Sequence, residues 1–261
     1  MCGRYTLSLS KRSELKAADL QVVDRFNIAP QSDVVVYNND RQIQQMRWDY
    51  SPPWAQKPLH LSNARSETLR EKPAFRGALR CVFLADGWYE WRQQGKGKTP
   101  YYHHANGELL YFAGIYNQQS GCAIVTRDAR ENIAFVHHRQ PVLLESRAVD
   151  PWLEGHDLFA SATTQRIECH PVSIAVNKPS NDYADLVTPV ELPRSANKPV
   201  AYSAKPGRVR SADKPQQVSI QTDLPVRLTA TIPAAAKSTV PDKTTGFSDA
   251  LKPGQSGDLF D

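Results

Sequence analysis

Apolar and polar positions along this chain are grouped in short runs rather than long periodic blocks. Asp33–Tyr37, Gln42–Trp48, Arg80–Ala85, Leu109–Ile115, Cys122–Thr126 and Asp157–Ala160 are brief and rich in β-branched or aromatic residues. That is the pattern of strands lying within or against a buried face. Helical periodicity is scarcer, confined to Lys11–Ala17, Glu67–Glu71, Ala129–Phe135 and Asp150–Leu153. Many short strands with turn residues between them predict an α+β fold. The expected architecture is a distorted, mainly antiparallel barrel-like sheet with peripheral helices.

The pattern changes near Val190. All five Trp, all seven His and all four Cys precede it, whereas eight of the nineteen prolines follow it with only three aromatics, Tyr202, Phe247 and Phe260. A stretch so poor in apolar residues cannot bury enough surface to offset its ordering entropy. The sequence therefore predicts a folded domain over 2–190 and a disordered Pro/Lys/Ser-rich tail over 191–261.

Composition narrows the setting. No apolar run reaches the ~20 residues of a membrane span, and the N-terminus lacks the apolar core of a secretory signal. The expected location is the cytoplasm, on the nucleoid when acting on DNA, with no membrane contact. Net charge is +5, which permits an anionic partner without demonstrating one. Cys2, Cys81, Cys122 and Cys169 are widely spaced with no CxxC pair, so neither a zinc site nor a disulfide framework is expected. Cys81, Cys122 and Cys169 read as small core residues.

Four places carry candidate chemistry. The chain opens Met-Cys-Gly, and a small second residue allows removal of Met1, leaving Cys2 with a free α-amine. Ordinary pKa values of about 8.5 for the thiol and about 7.7–8.0 for the amine give both a useful nucleophilic fraction near neutrality. Their 1,2 placement matters more: an aldehyde captured by the amine as a Schiff base can be closed by the thiol into a thiazolidine. Glu90 sits among aromatics in Leu84-Ala-Asp-Gly-Trp-Tyr-Glu-Trp91, where burial would raise its pKa and suit it to proton transfer. In Ser62-Asn-Ala-Arg-Ser-Glu67, Asn63 can hold a carbonyl or amide and Arg65 a phosphate, although a capped polar turn fits the same residues. In Val136-His-His-Arg-Gln-Pro141 one His can act as an acid near neutral pH. Adjacent side chains diverge, so at most one of His137 and His138 serves a site, and no third ligand accompanies them at metal spacing. Each signal alone also fits a purely structural reading.

Taken in order, these stretches resemble the SRAP family, the SOS-response-associated peptidases. The matching segments are Met1-Cys-Gly-Arg-Tyr5, Arg25-Phe-Asn-Ile-Ala-Pro30, Trp48 through Trp54, Asn63-Ala-Arg-Ser-Glu67, Ala85-Asp-Gly-Trp-Tyr-Glu-Trp91, His137 through Pro141 and His170-Pro-Val-Ser173. They span nearly all of 1–190 and none of the tail. The resemblance implies a positive cleft for single-stranded DNA and a thiazolidine crosslink from Cys2 to a ring-opened abasic sugar, with associated lyase and self-reversal activity in DNA damage repair. It implies that Asn63 positions Cys2 or the sugar, Glu90 moves protons at the C1 aldehyde, and His137 acts on the ring oxygen. Arg4, Arg65 and Arg139 would hold phosphates, and Pro30 and Trp54 would pack on bases beside the lesion. It implies no cofactor, no metal and a monomer.

The match has departures. Asp49 stands where a Gly usually follows Trp48, Ala55 follows Trp54 where some relatives carry a second aromatic, and His138 replaces a common Asp. Gln140 sits at a variable position, and Asn177-Lys178-Pro179 departs after His-Pro-Val-Ser. The C-terminal Asp-Leu-Phe-Asp resembles a sliding-clamp-binding peptide over 255–260, with Leu259 and Phe260 as its apolar anchors on a flexible tether. Two other readings stay open from the sequence: a thiol autopeptidase whose Cys2 only removes Met1, and a non-enzymatic single-stranded DNA-binding module.

Overall fold

The computed structural model describes residues 2–8, 10, 23–95, 97–159 and 163–192. The expected helix Lys11–Ala17, and the tail from 193 onward with its Leu259 and Phe260, lie outside the described residues. Among the described residues, no helix is long and apolar enough to cross a membrane.

Thirteen strands form two sheets among the described residues. The first has the order β13 (Glu168–Pro171), β8 (Gly97–His104), β7 (Gly87–Gln94), β1 (Tyr5–Leu7) and β2 (Arg25–Ile28). Its neighbouring strands all run antiparallel. The second runs β11 (Arg139–Pro141), β10 (Gly121–Asp128), β9 (Leu110–Asn117), β6 (Leu79–Ala85), β3 (Asp33–Asn38) and β4 (Ile43–Arg47). Alongside that path, β12 (Leu143–Leu144) pairs with β9, and β5 (Asn63–Arg65) pairs in parallel with β10. The strand-dominated α+β expectation holds, with both sheets left open rather than joined in one closed ring.

The core lies where the sheets face each other. Tyr5 of β1 meets Trp48, Phe83 and Phe112 edge-on at ring-centroid distances of 5.5, 6.3 and 6.2 Å, and Trp88 of β7 meets Phe112 at 5.8 Å. Such edge-to-face contacts add to the area these rings remove from water. Cys81–Ala85 in β6 are buried without alternation, because the other face of β6 is also covered. There Trp152 of α2 (Val149–Leu153) donates its indole N–H to the Cys81 carbonyl at 2.9 Å, with Arg80 over its ring. A shorter α1 (Glu131–Ala134) precedes the His137 segment.

Two expectations are corrected. Residues 157–159 form no strand: Asp157 instead pairs with Arg70 and Arg80 from a loop. Glu67–Glu71 is a 3-10 turn over Ser66–Thr68 rather than an α-helix. The β7–β8 hairpin, turning at Gly95 (φ +55°), was not legible as a strand pair. Gly87 opens β7 because it has to: a Cβ there would lie 2.3 Å from the His103 carbonyl oxygen. Cys81 and Cys122 are core residues as expected, Cys169 is half-buried, and all four thiols are free.

Candidate functional site

The amino terminus reaches the interior as an extension of β1. The Tyr89 amide donates to the Arg4 carbonyl at 2.9 Å, so residues 2–4 run alongside β7 towards Glu90. Cys2 is fully buried. Its carbonyl accepts the Asn63 side-chain amide at 2.9 Å, while among the described residues its thiol has only a long contact to the Arg4 carbonyl at 4.0 Å. Burial first, and then the charge of Glu90, push the Cys2 thiol well above its ordinary range. This corrects the expectation that the thiol carries a useful anionic fraction at neutral pH: in this pocket its proton must be taken from it.

Asn63 lies on β5 opposite Ile124 of β10, two residues from Arg65 and therefore on the same strand face. Its Nδ2 also reaches Ser62 Oγ at 3.0 Å, but its buried Oδ1 accepts no hydrogen bond among the described residues. Leaving such an acceptor unpaired costs about 1–3 kcal/mol. That cost is explained if a ligand N–H or O–H completes it.

Glu90, in the middle of β7, is 3% exposed. Burial raises its carboxyl to about 7, against the opposing charge of the chain's α-ammonium. His137 sits between α1 and β11. Burial, then the same ammonium charge, lower it to about 4. His137 Nδ1 lies 3.0 Å from the Arg139 backbone N–H and 3.3 Å from the Arg139 carbonyl. Nδ1 and Glu90 Oε2 are 3.8 Å apart, beyond hydrogen-bond reach. His138 stacks beside His137 at 4.5 Å but is exposed, so only one of the pair enters the pocket. Cys2, Asn63, Glu90 and His137 are thus assembled from four separate chain segments. Among the described residues, no group of three or more His, Cys, Asp or Glu is placed to hold a metal ion.

The three expected phosphate-holding arginines divide. Arg65 is exposed on β5. Arg4 is half-buried, its Nη1 donating to Asn27 Oδ1 and the Val176 carbonyl, both at 2.8 Å. Arg139 is buried and committed elsewhere. It makes two bonds to Glu67 at 2.6 and 2.9 Å, one to Asp128 at 2.7 Å and one to the Thr126 carbonyl at 2.7 Å. Pro30 lies half-exposed at the turn after β2, and Trp54 is 62% exposed. Asp49 is not a bare negative charge, because the His60 ring nitrogen lies 3.0 Å from its carboxylate.

Two residues that escaped the sequence reading anchor this side of the site. The buried Asn27 side chain donates to the carbonyls of Val176, Lys178 and Asn181, and Asp182 accepts the Phe26 and Asn27 amides. They fasten the 176–182 segment beside Arg4, where Asn177 also accepts the Trp91 indole N–H at 2.7 Å. Asn27 lies in the matched Arg25–Pro30 segment, whereas Asp182 lies outside every matched segment, and backbone acceptors leave no mark in a sequence.

A profile of the SOS response associated peptidase (SRAP) family matches residues 1–179. The chain belongs to the SRAP family. Abasic site processing protein HMCES of Gallus gallus is 30% identical over 274 residues, covering 85% of this chain and 79% of that protein. Abasic site processing protein YedK of Escherichia coli is 29% identical over 223 residues, covering 73% of this chain and all of the other. A crystal structure of a Bacteroides thetaiotaomicron protein superposes with a TM-score of 0.63 at 19% identity, over 73% of this SRAP chain and 100% of its own, which supports the fold alone.

Proposed function

We propose that this SRAP protein processes abasic sites in single-stranded DNA by forming a covalent adduct through Cys2 once Met1 has left. The observation that carries the reading is the Asn63 amide. It holds the Cys2 carbonyl at 2.9 Å and has a second, buried polar atom with no partner among the described residues, while burial raises the Glu90 carboxyl above its ordinary range. The names of the relatives, all abasic site processing proteins, point the same way.

The chemistry balances within these four residues. The Cys2 amine adds to the C1 aldehyde of the ring-opened sugar, and the carbinolamine hydroxyl leaves as water after taking a proton from Glu90. The Glu90 carboxylate then takes the thiol proton, and the sulfur bonds to the carbon of the protonated imine, whose nitrogen keeps its own proton as the ring N–H. One thiazolidine and one water result, and Glu90 ends as it began. A group with a pKa near the working pH serves equally well as acid and base. The same steps reversed release the sugar, and β-elimination from the imine gives lyase activity. His137, neutral at this pH, contributes a ring N–H as a hydrogen-bond donor to the sugar oxygen rather than acting as an imidazolium. Arg65 and Arg4 attract the backbone, Trp54 and Pro30 contact neighbouring bases, and Leu259 and Phe260 tether the protein, acting as a monomer, to a sliding clamp.

A cysteine peptidase needs an easily formed thiolate, normally beside an imidazolium. Here the thiol is pushed up, the imidazole is pushed down, and His137 Nδ1 is occupied, which disfavours general peptidase activity. The test is to incubate the Met1-processed protein with an abasic single-stranded oligonucleotide and resolve the products under denaturing conditions. A shifted, heat-stable band lost in Cys2→Ala is expected. Its absence from the wild-type protein, with intact mass confirming Met1 removal, refutes the proposal.

A further inference from the structure

Phe135 is an exposed aromatic ring, 43% accessible, that closes α1 two residues before His137. Its neighbours Ile133 and Val136 are buried and already anchor the segment, so packing alone does not account for a large ring left in water. The ring lies edge-to-face with Tyr101 of β8 at a centroid distance of 5.8 Å, and Tyr101 is the direct cross-strand partner of Glu90. Directly paired residues on antiparallel strands share one face of the sheet. Arg92, two residues beyond Glu90 on β7, shares that face as well. Its guanidinium carbon stands 5.4 Å from the Phe135 ring centroid. Glu90, Tyr101, Phe135 and Arg92 thus lead from the buried carboxyl out to the surface.

The pair has the chemistry of a nucleotide subsite. Arg25 and Arg80 are each paired with a carboxylate, whereas no carboxylate pairs with Arg92 among the described residues. A ring offers its face to a base, and a guanidinium without a carboxylate beside it offers its charge to the adjoining phosphate. The contact between the two also holds the long arginine side chain near the ring.

Pro30 and Trp54 belong to the other wall of the site. The Gln31 amide donates to the Trp48 carbonyl, and the Trp48 indole N–H donates to the Ser62 carbonyl, one residue before Asn63. Cys2 stands between the walls, its carbonyl on Asn63 and its neighbouring backbone hydrogen-bonded to β7. A strand whose abasic sugar meets Cys2 therefore leaves the site past Trp54 on one side and past Phe135 on the other.

We infer that Phe135, with Arg92 beside it, is a second stacking platform for single-stranded DNA, holding the base on the flank of the lesion opposite to Trp54. The inference rests on the abasic-site reading proposed above and adds to it a second point of contact with the strand.

The test uses the full-length, Met1-processed protein and a single-stranded oligonucleotide carrying tetrahydrofuran in place of the abasic sugar. Tetrahydrofuran has no aldehyde, so binding is read without the adduct. A fluorescent aminopurine base is placed immediately upstream or immediately downstream of it, where a change in emission on binding reports a base moved from its neighbours onto a protein ring. Phe135→Leu keeps an apolar contact with Tyr101 but removes the aromatic face. It is expected to abolish the emission change at one of the two positions, and Trp54→Ala to abolish it at the other. Phe135→Leu should also weaken binding roughly 5- to 150-fold, and Phe135→Trp should retain wild-type affinity. Arg92→Gln should lower the log–log salt slope by about 0.7. Thermal midpoints check folding, and should Phe135→Leu fail to fold, Phe135→Trp and Arg92→Gln carry the same test.

Unchanged affinity and emission in folded Phe135→Leu overturn the inference. So does loss of the signal at the same flank in both Phe135→Leu and Trp54→Ala, or an unchanged salt slope in Arg92→Gln. Absence of any adduct between wild-type protein and a true abasic oligonucleotide defeats the proposed function instead, and the tetrahydrofuran strand still decides the platform because it asks only for binding.

Discussion

Glu90 Oε2 and His137 Nδ1 stand 3.8 Å apart with their usual order of proton affinity inverted, the carboxyl at about 7 and the imidazole at about 4. Burial causes both displacements, since a low-dielectric site disfavours whichever form is charged. The stability consequences oppose each other. Glu90 is raised on folding, so its contribution is fully present below its ordinary value of 4.5 and lost as pH rises to about 7. His137 is depressed, so its contribution is present above its ordinary value of 6.5 and lost as pH falls to about 4. Between those limits the two slopes nearly cancel. Glu90→Gln removes one of them. Its unfolding free energy should therefore rise with pH from about 4 to 6.5 by about 3 kcal/mol, while wild-type protein stays nearly flat. Urea titrations at several pH values measure this, and a flat profile in the variant contradicts the assigned protonation states. In the wild type, the rate of adduct closure should climb with pH through about 7 as Glu90 becomes able to accept the thiol proton.

The elevated thiol of Cys2 separates the two steps that the proposed adduct chemistry gives to its amine and its sulfur. Cys2→Ala retains a free α-amine after Met1 removal and lacks only the sulfur. It should form an imine with an abasic oligonucleotide that borohydride traps, yet leave no adduct that survives heat without reduction. Wild-type protein should give the same band with or without reductant. Equal heat-stable yields from the variant and the wild type would remove sulfur from the linkage altogether.

Asn63 is expected to trade stability against function. Asn63→Ala deletes the bond to the Cys2 carbonyl but also deletes the buried, unpaired Oδ1. The two effects partly offset, leaving stability within about 1 kcal/mol of wild type. Adduct formation should fall on the order of 10–100-fold, because the nucleophile is no longer held in register with the aldehyde. A large fall in thermal midpoint with a proportionate loss of activity would show that Asn63 acts through folding alone.

How legible the molecule was depends on which forces act at each element. Runs such as Val34–Val36 and Cys81–Leu84 announced β3 and β6 because both faces of these strands are buried and their side chains are uniformly apolar. β7 and β8 did not, because Glu90, Arg92, Gln93, Pro100 and His103 interrupt the apolar pattern. One of those interruptions, Glu90, belongs to the candidate site, so the site itself helps to mask the strand. Gly87 shows the same limit: its necessity comes from the His103 carbonyl across the hairpin, invisible until the register is known. Gly87→Ala should destabilise the fold by about 1–3 kcal/mol, and denaturant midpoints test it directly. Cys2, Asn63, Glu90 and His137 were recoverable only as an ordered set, since each alone fits an ordinary turn, cap or core position. The fate of Arg139 was not recoverable, because Glu67 lies 72 positions away and no local pattern marks them as partners.

Trp54 and Arg65 test the proposed DNA-facing surface without disturbing the interior. Trp54 is 62% exposed and only loosely tied, its indole N–H reaching the Pro73 carbonyl at 3.5 Å. Removing it should change stability by less than about 0.5 kcal/mol, whereas losing a base-stacking platform costs about 1–3 kcal/mol of affinity. Trp54→Ala should thus weaken binding to single-stranded oligonucleotides by roughly 5- to 150-fold with its salt dependence unchanged. Arg65→Gln should do the converse: a smaller loss of affinity at high salt, and a slope reduced by about 0.7. The two effects should add in the double variant, because stacking and counterion release are separate sources of free energy. Fluorescence anisotropy across a salt series reads both. If Trp54→Ala flattens the slope, or leaves affinity untouched at every salt concentration, the exposed indole does not stack on DNA bases.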